Sequence, residues 1–136
     1  MSEFPPEGTY RISYQSFTAT VLDGQNILRG EPIRDDIYRW DLVYVHDSSG
    51  LVKCALRDRQ GQGYLRVNSV ENYEEVLLSG PQEWILQKTD DGYTISQIGG
   101  EDVQYFWYLS GNGQPIRIVH GSQGIQSWVF EQQPEN

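Results

Sequence analysis

The chain has 136 residues, the length of one domain, with 38% hydrophobic and 21% charged residues. Its 4 Trp, 9 Tyr and 4 Phe exclude a disordered chain, which would be poor in aromatics. Ten Lys+Arg against 19 Asp+Glu give a net charge of −9, which sets the chain against nucleic acid and anionic lipid as partners.

The N-terminus Met1-Ser2-Glu3-Phe4-Pro5-Pro6 lacks the basic start and apolar stretch of a signal peptide, so a cytoplasmic location is expected. Thr9–Tyr14 reads as a first strand, Thr18–Leu22 as a second and Asn26–Ile33 as a third; a fourth carries Trp40 and Leu42. The same order returns with Leu51–Leu56, Gly63–Val67, Glu74–Gly80 and the strand of Trp84 and Leu86. It returns again with Tyr93–Ile98, Tyr105–Ser110, Gln114–Gly121 and the strand of Trp128 and Phe130. Asp23-Gly24, Ser48-Ser49-Gly50, Gly61-Gln62-Gly63, Asp90-Asp91-Gly92 and Gly111-Asn112-Gly113 supply turns between them. Glu71–Leu78 could form one helical turn, but its flanks read better as strand.

Trp40, Trp84 and Trp128 stand 44 residues apart. Gln82-Glu83-Trp84 and Gln126-Ser127-Trp128 share a Gln-x-Trp pattern, with Tyr38-Arg39-Trp40 as the diverged copy. A large apolar residue two positions past each Trp puts the pair on one strand face. One four-stranded unit cannot bury its apolar face alone, and closure removes exposed edges. The expected fold is therefore an all-β β-trefoil: twelve short strands in three four-strand repeats (about 8–47, 48–90 and 91–132) within a single domain over 1–136. Its expected core is Trp40, Leu42, Trp84, Leu86, Trp128 and Phe130, with Ile12, Leu65, Val76, Leu78, Ile116 and Ile118. The single cysteine, Cys54, cannot form an internal disulfide and is expected to be a buried small hydrophobe.

Enzyme chemistry finds no support in the pattern. There is no Gly-rich phosphate loop, no His-Glu-x-x-His and no cysteine pair for zinc, so no metal or cofactor is expected. His46 and His120 sit in no nucleophile motif, and the adjacent acids Asp35-Asp36, Glu74-Glu75 and Asp90-Asp91 would face opposite sides of a strand.

The Gln-x-Trp endings resemble the ricin-B-type β-trefoil. The early Gly8-Thr9-Tyr10-Arg11-Ile12 and the short, disulfide-free chain are similar to small fungal β-trefoil proteins, which include mycocypin- and cospin-type protease inhibitors and lectins. The resemblance spans about Gly8 to Gln132 and implies fold better than function. The inhibitor reading leads: an exposed loop enters the protease cleft without covalent chemistry, and scaffold rigidity limits the entropy lost on binding. What the resemblance implies for this reading is a reactive turn at Arg57-Asp58-Arg59-Gln60, with Arg57 or Arg59 as specificity residue, or at Asp23–Asn26, with Asn26 in that role. The alternative is a carbohydrate-binding lectin. A sugar site pairs an aromatic face with amides or carboxylates, and Trp107, the one tryptophan outside the repeat, stands with Tyr105 near Asp102, Asn112 and Gln114. The expected partner is accordingly a target protease or a glycan, bound by a monomer or weak dimer.

Overall fold

A computed structural model describes residues 4–22, 24–33 and 38–134. Asp23, Arg34 and the Asp35-Asp36 pair lie outside them. The strands are β1 (Gly8–Tyr14), β2 (Phe17–Val21), β3 (Leu28–Pro32), β4 (Trp40–Val45), β5 (Lys53–Asp58), β6 (Tyr64–Arg66), β7 (Glu74–Glu75), β8 (Leu77–Ser79), β9 (Trp84–Lys88), β10 (Tyr93–Ile98), β11 (Gln104–Tyr108), β12 (Arg117–His120) and β13 (Val129–Gln132). Two single 3-10 turns, Gly100–Asp102 and Gly121–Gln123, are the only helical elements among the described residues.

Six strands close a barrel. β1 pairs with β4, β4 with β5, β5 with β9 and β9 with β10, while β13 pairs with β1 and meets β10 through a Tyr93–Trp128 bridge. Six of the remaining seven strands form three capping hairpins, β2–β3, β6–β8 and β11–β12, and the two-residue β7 pairs with β12. Six barrel strands, three capping hairpins and a threefold repeat make a β-trefoil.

The threefold relation is visible in single atoms. Trp40 and Trp84 open β4 and β9, Trp128 stands immediately before β13, and each lies opposite the first strand of its own repeat, as Tyr10–Trp40, Cys54–Trp84 and Tyr93–Trp128. On the axis, the Leu28 N–H donates to Val76 O at 2.9 Å, Val76 N–H to Ile116 O at 3.0 Å, and Ile116 N–H back to Leu28 O at 2.8 Å. All three side chains are fully buried. This ring explains why the segment expected as one strand, Glu74–Gly80, is two, making thirteen strands rather than twelve. Both backbone groups of Val76 serve the ring, so the ladder breaks there into β7 and β8. Close approach of the hairpins requires Gly30, where a Cβ would stand 2.3 Å from Leu109 Cδ2.

The core matches the expected list, with Phe130 and Leu78 partly rather than fully buried. Cys54 is fully buried, and burial pushes its thiol pKa far up, so it packs as a hydrophobe. The glutamines of the Gln-x-Trp motif brace the hairpins. Gln82 accepts from Val67 N–H at 2.8 Å and donates to Val67 O at 3.1 Å; Gln126 does the same with Leu109 at 2.7 and 2.9 Å.

Candidate functional site

Trp107 lies in the core. Its ring is fully buried, edge-on to Trp84 at 5.6 Å and to Trp128 at 5.5 Å between centroids. The expectation that it faces a sugar is corrected: it holds the place of Ala19 and Leu65 in the other repeats. In those repeats the carbonyl at that place accepts the indole N–H of Trp40 (3.0 Å) and Trp84 (2.8 Å). The other candidates grouped with Trp107 do not converge. Asp102 precedes β11, while Asn112 and Gln114 sit beyond its far end in the turn leading towards β12. All three are exposed. Tyr105 is half-buried and turns its edge to the His120 ring at 6.3 Å.

The arginine turn is tied inwards. Arg57 and Asp58 belong to β5 rather than to a loop, and Asp58 is buried at 1% exposure, so its carboxylate cannot reach a protease. Its Oδ1 accepts from Gln60 N–H at 3.1 Å, closing the turn. Arg57 reaches Asp41 Oδ2 at 3.1 Å and Arg59 reaches the same oxygen at 3.8 Å, while Thr9 Oγ1 donates to Asp41 Oδ1 at 2.8 Å. The hydrogen bond to Asp41 raises the Arg57 pKa further. Gln60 is exposed. Asn26 is exposed, and its carbonyl accepts from Leu78 N–H at 2.7 Å.

A groove of about 580 Å³ crosses the barrel wall between Val45, Leu51, Lys53, Ile85, Gln97 and Ile98. Its polar groups are largely engaged. Gln97 donates to Gln82 Oε1 at 2.7 Å and Glu83 O at 2.8 Å, and Lys53 pairs with Asp47 at 3.0 Å. Among the described residues, no group of three His, Cys, Asp or Glu is placed to hold a metal ion.

A different cluster stands open at the junction of the second and third repeats. Tyr73 occupies the third position of the turn Glu71–Glu74, with φ +71°. Turns with positive φ there favour Gly or Asn, and a bulky residue in this conformation is strained. Its N–H donates to Ile118 O at 2.8 Å, which pins the turn to β12. The ring is nevertheless 55% exposed, so core packing does not account for it. Its hydroxyl meets the Gln123 side-chain amide at 3.0 Å, fifty residues away in sequence.

Around this ring, Asn72 Oδ1 accepts from the His120 backbone N–H at 2.9 Å. The His120 Nδ1 accepts from Ser122 N–H at 3.0 Å and lies 2.9 Å from Ser122 Oγ. This caps the 3-10 turn that carries Gln123. His120 lies directly opposite Tyr105 in the β11–β12 register, so the half-buried Tyr105 ring backs the cluster from the same sheet face. The result is one exposed aromatic face with amide, imidazole and hydroxyl groups at its edge. Of the sequence candidates only Tyr105 belongs to it. Tyr73, Asn72, His120 and Gln123 were missed, because no local motif links residues 72–73 to 120–123.

No family model matches the chain, and no curated protein matches it. Solved structures do. The Rhizoctonia solani agglutinin superposes with a TM-score of 0.77 at 16% identity, covering 98% of this chain and 100% of the other. A designed three-fold symmetric protein, ThreeFoil, superposes with a TM-score of 0.73 at 17% identity, covering 93% and 99%. Likeness at this level of identity shows the fold: a β-trefoil.

Proposed function

We propose that the protein binds carbohydrate, without catalysis, and that the sugar ring lies on Tyr73. The observation that carries this reading is the exposed Tyr73 ring held in a strained, left-handed backbone. Such strain persists where surrounding bonds over-determine it, and it concentrates at ligand sites. A tyrosine face offers a sugar's C–H side an apolar surface, and the polar groups of Asn72, His120 and Gln123 serve its oxygens. The fold likeness to an agglutinin supports the same reading. The alternative of a protease-directed loop has less behind it, since Asp58 is buried and Arg57 and Arg59 are bound to Asp41.

The test is a glycan array with the parent protein and Tyr73→Gly, followed by calorimetry on the best glycan. Gly suits the local φ, so the variant folds. It is expected to lose binding by about tenfold or more, the scale of one good contact. A blank array, or a variant that binds as well as its parent, overturns the reading.

A further inference from the structure

The hydrogen bonds of the Tyr73 cluster fix which ends of its polar groups face outwards. A backbone N–H can only donate, so the atom of Asn72 that receives His120 N–H must be the amide oxygen. The Asn72 Nδ2 then points away, and no partner for it is found among the described residues. The same logic fixes the imidazole. Nδ1 of His120 accepts from the backbone N–H of Ser122, so the neutral ring carries its proton on Nε2. Gln123 meets the Tyr73 hydroxyl at 3.0 Å, a group that can donate or accept, so this contact does not orient its amide. Two residues, Asn72 and His120, thus have an acceptor atom engaged by a backbone N–H and a donor end free.

We infer that this site selects sugars bearing an sp² oxygen acceptor, an acetamido carbonyl or a carboxylate, next to the ring that covers Tyr73. This rests on the carbohydrate-binding reading above and deepens it. A sugar hydroxyl can accept from these N–H groups, but it brings a hydrogen of its own, and the acceptor atoms of Asn72 and His120 already receive the N–H groups of His120 and Ser122. A donor enclosed without a partner weakens binding. A carbonyl or carboxylate brings no such hydrogen and has two lone-pair directions for two N–H groups. Both carry this chemistry, and they differ in charge.

The experiment uses the full chain and the methyl glycosides of glucose, N-acetylglucosamine and glucuronic acid, with their galacto counterparts, in calorimetric or NMR titrations. The acetamido sugar or the uronate is expected to bind about tenfold tighter than its parent hexose, the worth of one or two added hydrogen bonds. Salt separates the two sources: the net charge of −9 repels a uronate, so a uronate preference grows as salt screens that field, whereas an acetamido preference does not move. Asn72→Asp keeps an oxygen for His120 N–H and replaces the free N–H₂ with an acceptor, so it is expected to abolish the acetamido preference, read as the ratio of the affinities for the acetamido sugar and its parent hexose. Parent hexoses binding as tightly as the acceptor-bearing sugars, or an Asn72→Asp variant that keeps the preference, would overturn this inference and leave the carbohydrate reading standing. No binding of any of the six, with an array on which Tyr73→Gly changes nothing, overturns both.

Discussion

The Arg57–Gly63 turn and the Tyr73–His120 cluster are both polar surface features of the second repeat and its neighbours, yet they are built in opposite ways. In the first, charges answer one another. Two guanidinium groups and a threonine hydroxyl converge on the Asp41 carboxylate, and Asp58 closes its own turn. In the second, a strained backbone lifts an aromatic ring out of the protein, and each neighbouring group is bonded at one end only. A residue type that suggests binding, such as a rare arginine, says little until its partners are known. What remains unanswered after internal bonding is what a ligand can read.

Variants can break this comparison, and the largest expected effect falls outside both regions. Trp107→Ala should cost about 3–5 kcal/mol of stability, as for other buried tryptophans, measured by urea denaturation. A loss below about 1 kcal/mol would contradict its place between Trp84 and Trp128. Tyr73→Gly should behave oppositely, losing glycan binding while stability is unchanged or rises by up to about 1 kcal/mol as the left-handed strain is released. A marked destabilisation would make the ring a structural element instead. The double variant Arg57→Ala, Arg59→Ala should leave glycan binding intact and cost about 1 kcal/mol, because the half-exposed arginines contribute little themselves but leave the mostly buried Asp41 carboxylate with Thr9 alone.

The smallest effect concerns Asp47. The Ser49 hydroxyl and backbone N–H, with the Lys53 ammonium, hold its carboxyl well below the usual carboxylate range. A depressed folded pKa contributes stability above the unfolded value, about 4, and that contribution fades as pH falls towards the folded one. Asp47→Asn should therefore slightly flatten the acid limb of a Tm-against-pH curve and leave it unchanged near pH 4–5 and above apart from a constant offset. A parallel pair of acid limbs would refute the assignment.

The barrel and its threefold repeat were legible in sequence because one large residue type, Trp, recurs in a fixed register against alternating neighbours. The same register also held the answer for Trp107. Thr18–Val21, Tyr64–Val67 and Phe106–Leu109 are equivalent, which puts Trp107 where Ala19 and Leu65 are buried. Its size and its absence from the 44-residue spacing drew it towards function instead. The Tyr73 cluster was not legible. Its positive φ depends on a tertiary bond to Ile118, and its partners arrive from a different repeat. Nothing in Glu71-Asn72-Tyr73-Glu74 marks the turn as one that needs Gly.

The ring of backbone bonds through Leu28, Val76 and Ile116 has a consequence for assembly. Each repeat contributes one donor and one acceptor, pointing to different neighbours. Two repeats alone therefore leave one of each open to water at the centre of the molecule, however well their own strands pair. A chain carrying only one such repeat could close the circuit only by gathering as a trimer. Covalent linkage of the three repeats makes that meeting independent of concentration.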